Sequence, residues 1–465
     1  VKLINYDASA AWQNRLRAVL SSPRLVALPV VGLLVLIPIG LGLWQQQSRA
    51  QLDPLYRYQF SRPDPGKVTQ ALEREMAFYQ TRILSDPKGG LNRAALARAY
   101  LKMARATGES SWYLLAEQTA QQSLANLSFS NSEAVLVLAR VATARHDFAE
   151  ALRLLKQAPG SPDALSVATT AHLALGDIAA ADVAAEQLVK QAPSLGALTQ
   201  RALVKVAQGQ DGAAIQDLQQ AIAVEEPEET GSSVWARTLL GRLYFKRGQL
   251  PQAQALYRET LRILPQYPPA LLNLAELEVR QGNYRAAERY YSQFALTSQK
   301  SPTVHDHVVM RGMARVKELL GDTAAAHSWR DRAEARLRED LTGFGHRREL
   351  AHLLLERGRP KDIAEALTLM QQEVQARRDA ETLDTFAWAL SSVGRWPEAR
   401  QAMQAALQPG IRDAALFHRA GVIEQTLGNS VEAQHFFQLA QEADPTFDQQ
   451  AQRALGLGVG LLGLS

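Results

Sequence analysis

Residues 234–267 read VWARTLLGRLYFKRGQLPQAQALYRETLRILPQY, and residues 268–301 read PPALLNLAELEVRQGNYRAAERYYSQFALTSQKS. A shift of 34 positions places Leu240-Gly241 on Leu274-Ala275, Gly248 on Gly282, Ala253 on Ala287 and Tyr257 on Tyr291. A second pair near the end keeps the same step: Ala387, Gly394, Ala399 and Ala406 return as Gly421, Gly428, Ala433 and Ala440. Each unit has the chemistry of two antiparallel helices. A small residue (Gly241, Ala275, Ala387, Gly421) lets the first helix approach its partner, and a glycine ends it. An alanine then sits where the second helix crosses, and Pro265 or Pro445 closes the unit because proline cannot continue a helix.

The order Leu240-Gly241-x-x-Tyr244, Gly248, Ala253-x-x-x-Tyr257, Pro265 resembles the tetratricopeptide (TPR) signature, with Arg237 where that family usually carries Trp. Looser copies are marked by Leu96-Ala97-x-x-Tyr100 before Trp112, by Ala139, His146, Phe148 and Ala151, and by Gly176 with Ala181 and Gly209 with Ala214. Gly321 with Ala326, and Gly358 with Ala351, mark two more. The resemblance implies an all-α fold, an α-solenoid of about ten hairpins from 91 to 447, because such a unit buries its apolar stripe only by stacking on neighbours. Residues 225–233, EEPEETGSS, read as a solvated acidic linker between a block over 91–224 and a block over 234–447. An amphipathic helix over 66–84 leads into the array, within a juxtamembrane stretch of 45–90, and residues 448–465 read as a cap or tail. With nearest-neighbour contacts alone, removing 307–340 is expected to leave two folded blocks.

Residues 25–44, LVALPVVGLLVLIPIGLGLW, carry no charge, and twenty residues at about 1.5 Å each match a hydrocarbon core of roughly 30 Å. The stretch reads as a single transmembrane helix after a basic leader, 1–24, with Trp44 as an interfacial aromatic. A cleaved signal peptide is the rival, since Ser48-Arg49-Ala50 suits a peptidase, but the apolar run exceeds the usual h-region. Lys2, Arg15, Arg17 and Arg24 on one flank against Arg49, Arg57 and Arg62 on the other place the N-terminus in the cytoplasm. The array is then expected on the periplasmic side of a bacterial inner membrane.

Charge and composition narrow the function. The pI of 9.2 comes with a net charge of only +4. Most of that excess sits in the leader, so the body has no basic stripe for nucleic acid. Zero cysteines exclude disulfides and thiolate sites. His305-Asp306-His307 lacks a third ligand at fixed spacing and reads as a solvated loop rather than a metal site. Gly343-Phe344-Gly345-His346-Arg347 lacks the strand and lysine of a phosphate cradle. No nucleophile elbow or HExxH pair occurs, so no enzyme activity, cofactor or metal is expected, and no small-molecule substrate.

In TPR proteins the first helix of each hairpin lines a groove that holds a segment of a partner. By register, the resemblance puts Trp235, Thr238, Arg242 and Phe245 in that groove, followed by Leu272, Glu276 and Val279, and near the end by Asp384, Trp388, His418 and Val422. Trp235 and Trp388 suit either a peptide hot spot or packing between hairpins. The implied function is a membrane-anchored scaffold or chaperone-like adaptor for a protein or peptide client, in envelope assembly or cytochrome maturation. A non-catalytic regulatory subunit of an enzyme or export complex, whose active domain lies on another chain, is the alternative.

Overall fold

The computed structural model describes residues 52–64, 66–297, 302–339, 341 and 346–456. After a leading helix α1 (Lys67–Ser85), these residues form ten helical hairpins. Hairpins 1 to 3 are α2 (Leu91–Thr107) with α3 (Ser110–Asn126), α4 (Ser132–Ala144) with α5 (Phe148–Leu155), and α6 (Pro162–Leu175) with α7 (Ile178–Gln191). Hairpins 4 to 6 are α8 (Leu195–Ala207) with α9 (Asp211–Ala223), α10 (Thr230–Lys246) with α11 (Leu250–Ile263), and α12 (Pro268–Arg280) with α13 (Tyr284–Thr297). Hairpins 7 and 8 are α14 (Asp306–Leu319) with α15 (Thr323–Glu339) and α16 (Arg347–Arg357) with α17 (Pro360–Ala376). Hairpins 9 and 10 are α18 (Ala380–Ser392) with α19 (Trp396–Leu407) and α20 (Ala414–Thr426) with α21 (Ser430–Ala443), before a short α22 (Gln449–Ala454). Among the described residues there is no strand, only an isolated bridge between Glu109 and Thr303.

The punctuation works as the residue types dictate. Gly248, Gly282, Gly394 and Gly428 have φ of 69°, 78°, 77° and 84°, the left-handed conformation that ends a helix at least cost in glycine. Asp147, Ser161, Asp177, Ser194, Asp379 and Asp413 cap the helices that follow them by accepting backbone N–H groups. A Cβ at Gly241 would lie 2.5 Å from the ring of Tyr257, and one at Gly421 2.5 Å from the ring of Phe437. Small residues there are what let the two helices of a hairpin touch. Ala253, Ala287, Ala399 and Ala433 are buried at the crossings. Leu72 and Met76 of α1 bury into the core of hairpin 1 beside Tyr100 and Met103.

First helices of neighbouring hairpins pack on one another whereas second helices barely meet, which puts the first helices on the inner side of the curve. The curve is tight enough to return on itself. The turn of hairpin 1 meets the segment before hairpin 7, where Val304 N donates to Gly108 O at 3.0 Å. The turn of hairpin 3 meets the segment before hairpin 9 through Arg378 N to Ala174 O at 2.8 Å. Gly209 in the turn of hairpin 4 lies against Gly410 before hairpin 10. Lys246 of hairpin 5 reaches Asp413 at 2.5 Å, and Arg280 of hairpin 6 reaches Asp444 at 2.7 Å, beyond hairpin 10. Turns of the first coil thus rest on the chain five to six units later, so hairpins 1–6 make one coil and hairpins 7–10 a second coil seated on it.

Three expectations need restating. The span 25–44 and the Gly343–Gly345 pair lie outside the described residues, as does the tail beyond 456; among the described residues no helix is long and apolar enough to cross a membrane. The 225–233 stretch is loop only in part, because Pro227–Glu229 form a 3-10 turn and α10 begins at Thr230. Glu225 is buried against a fully buried Arg237. Nor is His305-Asp306-His307 a solvated loop. Asp306 opens α14 and accepts from Thr303 N and Oγ1, while burial pushes His305 down and His307 down to about 3.

Candidate partner-binding groove

The inner face is organised by polar contacts between first helices one repeat apart. Arg98 pairs with Glu133 at 2.9 Å, Gln200 donates to Ser166 at 3.3 Å, Arg242 pairs with Glu276, Arg348 with Glu381 at 3.3 Å, and Arg419 with Asp384 at 2.6 Å. Partners are 33 to 35 residues apart, so a position facing inward in one unit faces its own counterpart in the next. These pairs link hairpins 1 and 2, 3 and 4, 5 and 6, and 8 to 10; at hairpin 7 Arg311 instead contacts His352 at 2.7 Å and Glu356 at 3.2 Å.

Charges crowd where the two coils meet. Lys246 and Arg348 hold the Glu381 carboxyl down to about 2, with more than half of its side chain still open to solvent. Burial raises Asp413, but Lys246 and two backbone N–H groups outweigh it and leave that carboxyl below its usual range. At Asp384 burial wins over Arg419 and raises the carboxyl. Arg242 and Glu276 each keep about a third of their side-chain surface exposed. Such a surface is concave, wetted and polar, suited to the backbone and charges of an extended segment rather than to an apolar ligand.

The expected groove residues fall into three groups. Arg242, Glu276 and Asp384 belong to the ladder, and His418 stands beside it, pushed down to about 4 by burial and the adjacent Arg419. Trp235, Leu272 and Val422 are partly exposed on the same helices. Thr238, Phe245, Val279 and Trp388 are buried and unavailable to a client. Thr238 turns its hydroxyl back to Val234 O at 2.7 Å. Phe245 packs with Tyr257, Leu274 and Leu277, and Val279 with Leu271 and Tyr291. Trp388, 1% exposed, is a wedge between Arg419, 4.6 Å from its ring, and the edge of His352 at 5.0 Å. Helical register places all eleven on one face, but packing between adjacent helices closes over four of them. Lys246, Arg348, Glu381 and Asp413 were missed. The opposite charges of Arg242 and Glu276 at one repeat spacing were a legible sign of the ladder; the return of the coil that gathers the others was not.

Comparison with known protein families agrees with this architecture. The family model of the MalT-like TPR region matches residues 161–413, more than half of the chain. The protein belongs to that family. The matched part of this TPR protein runs from hairpin 3 through hairpin 9 and so includes part of both coils. No curated protein matches it. Among solved structures, yeast Tom70 is 10% identical with a TM-score of 0.37, over 84% of this chain and 92% of that one. PilW, a widely conserved type IV pilus biogenesis factor, is 19% identical with a TM-score of 0.37, over 46% of this chain and 99% of that one. Neither likeness extends to what this TPR protein binds.

Proposed function

We propose that this TPR protein is a scaffold that captures an extended, charged segment of a client protein along its first-helix face. In this reading residues 25–44 hold it in a bacterial inner membrane with the N-terminus in the cytoplasm and the array outside, in the service of envelope assembly or cytochrome maturation. The ladder carries the reading. Five polar pairs at repeat spacing fix the inner side chains before any client arrives, which lowers the ordering cost of binding. Trp235, Leu272 and Val422 supply apolar contact beside those charges.

Photo-crosslinking amino acids at Trp235, Leu272 and Val422 should trap a common protein from membranes, whereas the 85%-exposed Val431 on a second helix should not. Capture from Val431 alone would place the binding face on the outside and end this proposal. Exchanging the charges with Arg242→Glu and Glu276→Arg should preserve folding while weakening capture. A reporter active only outside the cytoplasm, fused after Ser465, tests the topology separately.

A further inference from the structure

Residues 52–60, LDPLYRYQF, lie on the array without belonging to a repeat. Asp53 caps a short turn at Pro54–Tyr56, and the chain then runs extended from Arg57. Side chains alternate from there: Tyr56, Tyr58 and the half-buried Phe60 face the protein while Arg57 and Gln59 face solvent. The surface they meet is formed by hairpins 4 and 5. It uses the Leu240/Tyr244 side of α10, distinct from the side on which Arg242 pairs with Glu276 of α12.

What distinguishes this contact from ordinary core packing is that the array reads the backbone of the segment. Glu259 Oε1 accepts from Tyr58 N at 2.8 Å, Arg262 Nη2 donates to Tyr58 O at 3.2 Å, and Arg237 Nε donates to Tyr56 O at 2.7 Å. Both backbone groups of one residue are thereby satisfied by side chains of α11, as a bound peptide's would be. The ring hydroxyls are read as well. Tyr56 OH accepts from Gln219 Nε2 at 2.8 Å and meets Tyr244 OH at 3.1 Å; Tyr58 OH donates to Pro227 O at 3.2 Å. Arg237 itself is fully buried and held in place by a two-pronged pair with Glu225 at 2.6 and 2.7 Å. That pair holds Arg237 from the receptor side, through a residue outside the segment. Residues 61–64, by contrast, are largely exposed, so the segment is joined to α1 by a tether that makes few contacts of its own.

We propose that Arg237, Glu259 and Arg262 form a peptide clamp for an extended segment with aromatic residues at alternate positions, and that residues 52–60 are its tethered occupant, exchangeable for such a segment on a partner protein. This goes beyond the groove reading and does not depend on it, since the clamp occupies a different face of the same hairpin. Tethering gives the resident segment a high effective concentration, so a competing segment gains access only when the resident one is weakened or pulled away.

The test uses the full chain and a fluorescent peptide of sequence LDPLYRYQFSR. Wild-type protein should bind the peptide weakly. Tyr56→Ala with Tyr58→Ala, which strips the resident segment of its ring and hydroxyl contacts and leaves the clamp's walls intact, should bind at least about tenfold more tightly, and adding Glu259→Gln or replacing both tyrosines of the peptide should remove that gain. Folded double variant that binds no peptide, or binding indifferent to Glu259, overturns the proposal. Should the double variant unfold, a protease site placed over residues 62–66 of the otherwise wild-type chain gives the same answer. After cutting, labelled peptide should replace the resident segment, and a resident segment that stays in place against excess peptide overturns the exchange.

Discussion

The turns of the first coil, apart from hairpin 2 with His146, and those of the second are made from the same glycine in the same left-handed conformation, yet they are held differently. A Cβ at Gly209 would lie 2.0 Å from Gly410 O, one at Gly248 2.3 Å from an Asp444 carboxylate oxygen, and one at Gly176 2.8 Å from Arg378 O. Around Gly321, Gly394 and Gly428 in the second coil there is nothing within 4 Å. Thus a first-coil glycine answers two demands, backbone conformation and close approach of another chain segment, and a second-coil glycine only the first. The difference teaches that this array is not a one-dimensional stack in which each unit touches only its neighbours. Its stability includes contacts made six units away.

The largest effect is therefore expected from changing the unit count. Removing 307–340 shifts every later loop by one unit, and the Lys246–Asp413 and Arg280–Asp444 contacts lose their partners. Hydrogen exchange at the turns of hairpins 4 and 5 should become fast even though the deletion lies outside both. Unchanged protection there would restore the nearest-neighbour description and its two independent blocks. Next in size is Phe245→Ala, which empties a site packed by Tyr257, Leu274 and Leu277 and should cost about 3–5 kcal/mol in denaturant unfolding. A loss below about 1 kcal/mol would return Phe245 to the groove.

Gly209→Ala and Gly394→Ala test the comparison directly. Both place a side chain at positive φ, at a cost of roughly 1–2 kcal/mol. Only Gly209→Ala adds overpacking against Gly410, for a further 1–3 kcal/mol or so, because the atom it meets is backbone and can yield only if the coils part. Equal losses in the two variants would show that the coils do not touch in solution.

The fold was legible where it depends on spacing. The 34-residue step, the turn glycines and the crossing alanines specify hairpins and their order, because those features act within a unit or between adjacent units. What depends on curvature was hidden: the return of the coil follows from small rotations accumulated over six hairpins, and no single residue encodes it. Arg237 shows both sides of this. Its departure from the usual Trp was visible in sequence, but its reason lies in Glu225 and in the backbone of Tyr56, 181 residues upstream. Likewise the alternation Tyr56-x-Tyr58-x-Phe60 was there to be read as an extended segment, with nothing to say what surface it would cover.

Acid should loosen the contact between coils in a defined window. Asp413 and Glu381 are depressed in the folded protein, so their contribution is complete above the ordinary carboxylate range of about 4 and is lost as pH falls through their lowered folded values, about 2 for Glu381. His307 acts earlier. Its folded value of about 3 lies below the ordinary 6.5, so the unfolded chain takes up a proton first and stability declines from about pH 6.5 downward. His307→Phe should flatten the decline between pH 6.5 and 4 and leave the carboxylate step in place. A slope unchanged by the substitution would mean that His307 is protonated in the folded state.

The smallest effect is expected from the first-coil end of the ladder. Arg98 and Glu133 keep 44% and 36% of their side-chain surface exposed, so water already solvates both charges and salt screens what attraction remains. A double-mutant cycle to alanine should give a coupling of about 0.2–1 kcal/mol that fades in high salt. The same cycle on Arg419 and Asp384, at 3% and 14% exposure, should give a larger coupling that salt hardly touches, because removing either partner leaves the other charge enclosed. Thermal unfolding at low and high salt reads both. If the two pairs couple equally and respond equally to salt, the Arg419–Asp384 pair is as wet as the first-coil pair, and its low exposure does not hold in solution. If only the Arg419–Asp384 pair resists salt, the ladder is graded from a solvated first hairpin to a dry final one, and the partly exposed residues nearest the wet end become the first place to look for a client.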